Sequence, residues 1–309
     1  MSYPLITIAV PVYGVEKYIE RCVRSLFEQT YQEIEYLFVD DCSPDRSIDI
    51  LRCVLEDYPE RRKHVRIIRH EQNRGIGAAR NTAVGQCHTE FILHVDSDDS
   101  LESNAVELLL EKQREDDYDI VSFGYRRIWH KHVEEYHKPN LTSAQILSKL
   151  ILARRWAGSV CWAMYRTSLY RLSGIKVAEG VNNYEDYSVT PRLAYYAKKI
   201  CTIPDLLYNY YYANEGSYTE TFSEDKSRQC IQALKINQDF FCDKEGFQAA
   251  LDEGISVVVF TQIRDALRNG WHKDYYREVR SIWFGLANKS TNRLTRFDRF
   301  ILKIDNYFI

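Results

Sequence analysis

Over the first 125 residues, short apolar runs alternate with stretches whose apolar positions recur every three or four residues. Leu5 to Val10 is an apolar run closed by Pro11 and reads as a buried strand. From Val15 to Gln29 the apolar positions Tyr18, Ile19, Cys22, Val23, Leu26 and Phe27 fall on one helical face. The alternation continues with a strand at Ile34 to Val39, a helix at Ser47 to Tyr58 that Asp45 or Ser47 can cap, and a strand at Val65 to Ile68. A short helix is expected at Gly75 to Gly85, a strand at Phe91 to Val95, a helix at Ser103 to Glu115 and a strand at Ile120 to Phe123. This order predicts an α/β fold with a mainly parallel sheet and helices on both faces.

After Tyr125 the rhythm changes. Arg126 to His137 is polar and aromatic, as in a hairpin or loop, and Thr142 to Leu152 is helical. Two short β segments are expected at Lys199 to Ile203 and Leu206 to Tyr212, around Pro204 and Asp205. From Glu224 the chain reads as helices over 224–244, 248–269 and 274–287. A domain of residues 1–220 followed by a helical region of residues 221–309 is the expected organisation.

Composition narrows the classes. The chain has 309 residues, 45% hydrophobic and 28% charged, the balance of an ordinary folded protein. A formal net charge of -3 and the lack of a long basic run argue against a nucleic-acid partner. Eight cysteines without a C-x-x-C pair point to buried thiols in a reducing compartment, not to zinc or disulfides. Met1 to Val12 has no basic segment or cleavage site, and runs such as Val257 to Phe260 are too short to span a bilayer. A cytoplasmic location is expected. The 23 tyrosines offer flat faces with a hydroxyl, suited to packing or to stacking on bases and sugars.

The chemistry gathers at strand ends, where open α/β sheets bind ligands. Asp96, Asp98 and Asp99 directly follow the fourth strand. Carboxylates so close repel one another unless a cation sits among them, and magnesium or manganese bridges such groups to phosphates. Asp40 and Asp41 end the second strand, where a carboxylate can accept from the N–H of a pyrimidine base. Asn73 to Asn81 carries two glycines, which allow close backbone approach, and Arg74 and Arg80, which offer fork-shaped donors. Glu185 and Asp186 stand at the opening of a helix, as caps or as a general base. His130 and His132 lie in a loop and read as solvated histidines.

The segments VPVYGVEKYIERCVRSLFEQTY, YLFVDDCSPDRS, NRGIGAARNTAVG, FILHVDSDD and GVNNYEDY together resemble the inverting family 2 glycosyltransferases of GT-A fold, over about residues 5 to 220. The resemblance implies a UDP-sugar donor, Mn2+ or Mg2+ as cofactor and a glycan or lipid-linked acceptor, in the synthesis of a bacterial-type surface polysaccharide. It implies that Pro11, Tyr13 and Glu16 form the first nucleotide-contacting loop, with Tyr13 near the base. Asp41 would read the uracil edge and Arg80 would line the nucleotide pocket. Asp96 would face ribose and donor sugar, and Asp98 would hold the metal, with Asp99 able to share either role. Asp186 would be the base, with Glu185 the second choice. Two departures stand out. Gly14 replaces the usual asparagine, and Tyr208 to Ser217 has no histidine to serve as a further metal ligand.

Two rivals fit less well. A sugar nucleotidyltransferase should have a glycine-rich phosphate loop after strand one, where this chain has Pro11 to Glu16. A non-catalytic nucleotide-sugar or glycan-binding module would not need the full acidic set. At the C-terminus, Leu294, Phe297, Ile301, Ile304 and Phe308 form an apolar stripe flanked by Arg293, Arg296, Arg299 and Lys303. Residues 289–309 are therefore expected to lie on an anionic membrane, on the protein itself or on a second subunit.

Overall fold

The structure is a computed structural model that describes residues 5–130, 132–152, 158–212 and 223–268, with 277, 279 and 281 as isolated positions. Its first half is built as β1 (Ile6–Val12), α1 (Ile19–Phe27), β2 (Ile34–Asp40), α2 (Ser47–Glu56), β3 (Val65–Arg69), α3 (Ile76–Gln86), β4 (Phe91–His94), β5 (Ser100–Leu101) and α4 (Ala105–Asp116). Then follow β6 (Ile120–Trp129), β7 (His132–Tyr136), α5 (Ser143–Ile151), β8 (Ala163–Arg166), α6 (Ser168–Ser173), α7 (Glu185–Tyr196), β9 (Ile200–Tyr211), α8 (Glu224–Phe241) and α9 (Gln248–Arg268). The strands form one sheet in the order β3-β2-β1-β4-β8-β6-β9-β5, and β7 pairs with β6.

Every residue of β1 is buried, as expected for a parallel strand covered on both faces. It pairs in parallel with β2 on one side and β4 on the other. The pairing with β2 runs to Val12, but that with β4 stops at Ala9. The chain order of the strands reverses between β1 and β4, the point where sheets of this kind bind ligands. Helix α1 lays Ile19, Cys22, Val23, Leu26 and Phe27 into the core. Each large side chain buried this way contributes roughly 1.5–3 kcal/mol. Phe27 packs edge-on against Tyr36 at 5.1 Å and Phe38 at 6.4 Å.

The second half completes the sheet with mixed pairing. Strand β8 runs antiparallel to both β4 and β6, and β6 pairs in parallel with β9. The strand expected at Ile120 to Phe123 extends to Trp129 and turns back through β7 as a hairpin. The two β segments expected around Pro204 are one strand, β9. Its register slips between Ser122 and Tyr125 of β6, which accommodates Pro204 and Asp205. Gly124 belongs there because an added Cβ would lie 2.8 Å from both Leu206 Cδ2 and Tyr136 O. Thr142 caps α5 through a reciprocal pair of bonds with Gln145.

Helices α8 and α9 match the first two helices expected after residue 224. Gln229 Oε1 accepts from the backbone of Asn182 and Asn183 at 2.9 Å, and Asn237 Nδ2 donates to Tyr187 O at 2.7 Å. These bonds tie α8 to α7 and to the segment before it. The boundary near residue 220, most of the helix expected over 274–287 and the amphipathic stretch 289–309 lie outside the described residues. No helix among the described residues is long and apolar enough to cross a membrane. The cysteines are free thiols and five are buried, but Cys53 and Cys242 are exposed and Cys42 is half-buried.

Candidate active site

The loops after β1 and β2 are zipped together. Gly14 N donates to Ser43 Oγ at 2.8 Å, Val15 N to Ser47 Oγ at 3.0 Å and Glu16 N to Asp45 Oδ2 at 2.9 Å. Asp45 also accepts from Ser47 N at 3.1 Å, but the N-cap of α2 is Arg46, with no side-chain cap bond, and not Asp45 or Ser47 as expected. Burial opposes the Asp45 charge, yet bonds from Ser47, Glu16 and Ser43 hold its carboxyl below the usual range. Glu16 is used inside this zipper, where its Oε2 accepts from Arg46 N at 3.0 Å. Pro11 is buried, whereas Tyr13, directly after β1, is 49% exposed.

Asp41 is buried beneath the start of α3. Its Oδ1 lies 2.6 Å from His70 Nδ1 and accepts from Arg74 N at 2.9 Å, while Oδ2 accepts from Gly75 N at 2.7 Å. A carboxylate offers about four acceptor positions, so capacity for one more donor is left. Gly75 has φ +84°, and an added Cβ would lie 2.2 Å from Asn182 Oδ1. Asn182 Oδ1 accepts from Gly77 N at 3.2 Å. Asn81 exchanges two bonds of 2.9 Å with the backbone of Val177. The segment before α7 is thereby docked onto α3.

That docking brings three carboxylates to one guanidinium. Arg80 is 4% exposed. Its Nη2 donates to Asp96 Oδ1 at 3.0 Å and lies 3.5 Å from Glu185 Oε1, and its Nε lies 3.7 Å from Asp186 Oδ1. Burial works against the Arg80 charge, but Asp96, Asp186 and Glu185 hold its pKa above the ordinary value. Burial, reinforced by Asp186 and opposed by Arg80, pushes Glu185 up to about 8. Burial also raises Asp186, against Arg80 and against bonds from Ser159 and the Val160 backbone. Both carboxylates sit in the first turn of α7, where the helix dipole favours negative charge. Tyr184, just before them, takes a left-handed conformation with φ 61°, a strained geometry for a residue with a side chain.

The acidic turn after β4 divides its labour. Asp96 faces Arg80 with 29% of its side chain exposed. Asp98 is half-buried, and its carbonyl accepts from Arg21 Nη2 at 2.5 Å. Asp99 is 1% exposed and turns toward β9, accepting from Tyr208 OH at 2.7 Å and Tyr211 N at 2.9 Å. Tyr208 OH also accepts from Asp96 N at 3.1 Å, so this tyrosine fixes the turn from both sides. Burial, together with Asp98 and Asp96, raises the Asp99 pKa.

The family model described as "Glycosyl transferase family 2" matches residues 7–175 of this chain. The chain belongs to glycosyl transferase family 2. Its curated relatives include "Uncharacterized glycosyltransferase EpsJ" of Bacillus subtilis, 29% identical over 83% of this chain and 75% of that protein. Chondroitin synthase of Escherichia coli is 38% identical over 50% of this chain, a match that spans 23% of the synthase. Among solved structures, S. aureus TarS superposes with a TM-score of 0.73 at 21% identity, covering 98% of this chain and 54% of that one. At that identity the likeness is one of fold, and the fold is GT-A.

Within this family 2 chain, Arg80, Asp96, Glu185 and Asp186 meet in one cluster. Asp98 and Asp99 stand on the adjoining turn. Asp41 reaches the cluster through α3, and Pro11, Tyr13 and Glu16 flank the same sheet edge. Asp99 is bonded to β9 through Tyr208 OH and the Tyr211 backbone, which fixes the turn. His132 Nε2 lies 3.6 Å from Glu134 in an exposed hairpin tip, away from these residues in the fold, as expected of a solvated histidine.

Sequence reasoning missed His70, Tyr208, Asn182 and Ser159. His70 stands directly after β3, so the strand-end rule that found Asp41 would have flagged it. Tyr208, Asn182 and Ser159 act across more than 25 residues of sequence and left no local signal. Among the described residues no set of three His, Cys, Asp or Glu side chains is arranged to hold a metal alone. The Asp96–Asp98 turn nonetheless fits a magnesium-type ion, which takes one or two carboxylates plus substrate phosphates. Crowding of these carboxylates is an electrostatic cost that such a cation relieves.

Proposed function

We propose that this chain is an inverting, divalent-metal-dependent transferase that moves a hexose-type sugar from a UDP-sugar to a hydroxyl of a glycan or lipid-linked acceptor, in surface polysaccharide synthesis. The observation that carries this reading is the Arg80 cluster. One buried guanidinium joins a carboxylate of the acidic turn to the two carboxylates that open α7. On this reading the donor-side and acceptor-side groups share one centre.

In the proposed reaction, Tyr13 stacks on the base and Asp41 uses its remaining acceptor capacity for the base N–H. Asp96 orients ribose and donor sugar. A divalent cation, held by Asp98 with Asp96, would supply charge neutralisation at the leaving diphosphate when bound. Arg80 holds Asp96, Glu185 and Asp186 at fixed positions around one guanidinium. Asp186 removes the proton from the acceptor hydroxyl as that oxygen bonds to the anomeric carbon from the face opposite the leaving group, which inverts the configuration. The electron pair of the broken glycosyl bond leaves on the nucleoside diphosphate.

Support for the donor class comes from solved structures of the same fold: TarS 1-349 in complex with UDP-GlcNAc, and PcManGT from Pyrobaculum calidifontis with GDP-Man and Mn2+. Support for the pathway comes from relatives named chondroitin synthase and teichoic acid poly(glycerol phosphate) polymerase.

The reading is tested by nucleotide-sugar turnover with and without Mn2+, in wild type and Asp98→Ala. Wild-type activity is expected to vanish with chelator and return with Mn2+. Asp98→Ala is expected to lose at least about 100-fold, the scale on which loss of one preorganised charge-stabilising group acts, and to lose its response to Mn2+. Full turnover in chelator would rule out the metal role.

A further inference from the structure

Three buried polar atoms lack a protein partner around one small cavity: Arg80 Nε, Asp186 Oδ1 and His94 Nδ1. The cavity measures about 10 Å3 and is lined by Arg80, His94, Tyr170, Lys176, Glu185 and Asp186, among others. A water needs about 10–15 Å3 and makes about three hydrogen bonds when buried. We infer that a single resident water sits here, behind the catalytic carboxylate, and that His94 is a positioning residue acting on Asp186 through it. This inference rests on Asp186 being the base.

The hydrogen-bond count closes. Arg80 Nε carries one hydrogen and can only donate. Its 3.7 Å separation from Asp186 Oδ1 is too long for a direct bond but suits two groups sharing a water. His94 is 1% exposed. Its Nε2 lies 3.3 Å from Tyr170 OH. With the proton on Nε2 and given to Tyr170, Nδ1 is an acceptor. The water then accepts from Arg80 Nε and donates to Asp186 Oδ1 and His94 Nδ1. Each of the three atoms is satisfied and the water makes three bonds.

The consequence is directional. Asp186 is held from behind through Oδ1, and a hydrogen bond to the charged form favours the carboxylate over the acid. The other ionisable groups around Asp186 are Arg80 on α3, Asp96 after β4, Cys161, Tyr165 on β8, Tyr170 on α6 and Glu185, and Lys176 lines the same cavity. His94 stands on β4, two residues before Asp96, so it couples the donor-side strand to the base.

The test uses the full chain with His94→Leu and His94→Asn, the second keeping an acceptor near the Nδ1 position. His94→Leu is expected to lower kcat about 10- to 100-fold with donor KM unchanged, as misplacement of a catalytic group does. It should also move the acidic limb of the pH profile to higher pH, and His94→Asn should recover most of both. Equal kcat and an unmoved limb in His94→Leu would overturn the positioning role. A crystal structure of the wild type at high resolution is the second measurement and does not depend on the variants folding. Water density within hydrogen-bonding distance of Arg80 Nε, Asp186 Oδ1 and His94 Nδ1 is expected, and a dry cavity overturns the inference. If Asp186→Asn turns over normally while that water is present, the base assignment has failed and the water site has not.

Discussion

Asp186→Asn is expected to bind the nucleotide-sugar donor as the wild type does and to turn over about 100- to 10,000-fold more slowly, the span attributed to a positioned general base. Asparagine keeps the shape of the side chain, so packing in the first turn of α7 is preserved. It removes the group that takes the proton. It also leaves Arg80 its closest ionic partner, Asp96, at 3.0 Å, so the donor side of the cluster is retained. Glu185→Gln is the companion measurement. Glu185 is pushed up to about 8 by burial and by Asp186, which places it near neutrality and makes it the alternative base. Calorimetry of donor binding and single-turnover kinetics on both variants separate the two. A near-normal rate in Asp186→Asn combined with a collapsed rate in Glu185→Gln would move the role to Glu185.

The second large effect concerns stability. Arg80→Met is expected to cost about 3–5 kcal/mol, the usual penalty for removing one partner from a buried charge group. Asp96, Glu185 and Asp186 would keep their burial and lose the cation between them. A lysine is not an adequate replacement, since one ammonium cannot present a planar fork to three separate carboxylates. The pH dependence carries a sign. Carboxylates whose folded pKa is raised bind more protons folded than unfolded, so their contribution to stability falls as pH rises through the folded value. For Glu185 in the wild type this window runs from 4.5 to about 8. Arg80→Met raises these pKa values further, so its deficit should be largest at high pH and shrink on acidification. Combining Arg80→Met with Asp186→Asn should recover part of the loss, because one stranded charge is then removed. Chemical denaturation of the four proteins at two pH values measures all of this.

Much of the fold was legible because burial on both faces writes itself into a strand. The segments at β1, β2 and β4 are nearly continuous apolar runs, and α1 shows a single apolar face. Strand β8 was not legible: Ala163–Arg166 is four residues long, and its place between β4 and β6 is decided by those neighbours. Pro204 made one strand look like two, since the irregular register that accommodates it is a property of the pair β6–β9. At the site, the polar strand ends around Asp41 and Asp96 could be found because a doubly wound sheet delivers them to one edge. The hub could not. That Arg80 reaches Asp96, Glu185 and Asp186 depends on α3 docking against the segment before α7, through Asn81 and Asn182. Nor could sequence separate Asp98 from Asp99, which are adjacent in the chain, until Tyr208 and the Tyr211 backbone were seen to claim the second.

The most direct measurement is a crystal structure of the full chain with a UDP-sugar and Mn2+. The diphosphate is expected against Asp96 and Asp98, with the anomeric carbon between it and the Asp186 carboxylate. Density that places the diphosphate away from the acidic turn, or that puts the sugar out of reach of both Asp186 and Glu185, would contradict a single centre built around Arg80.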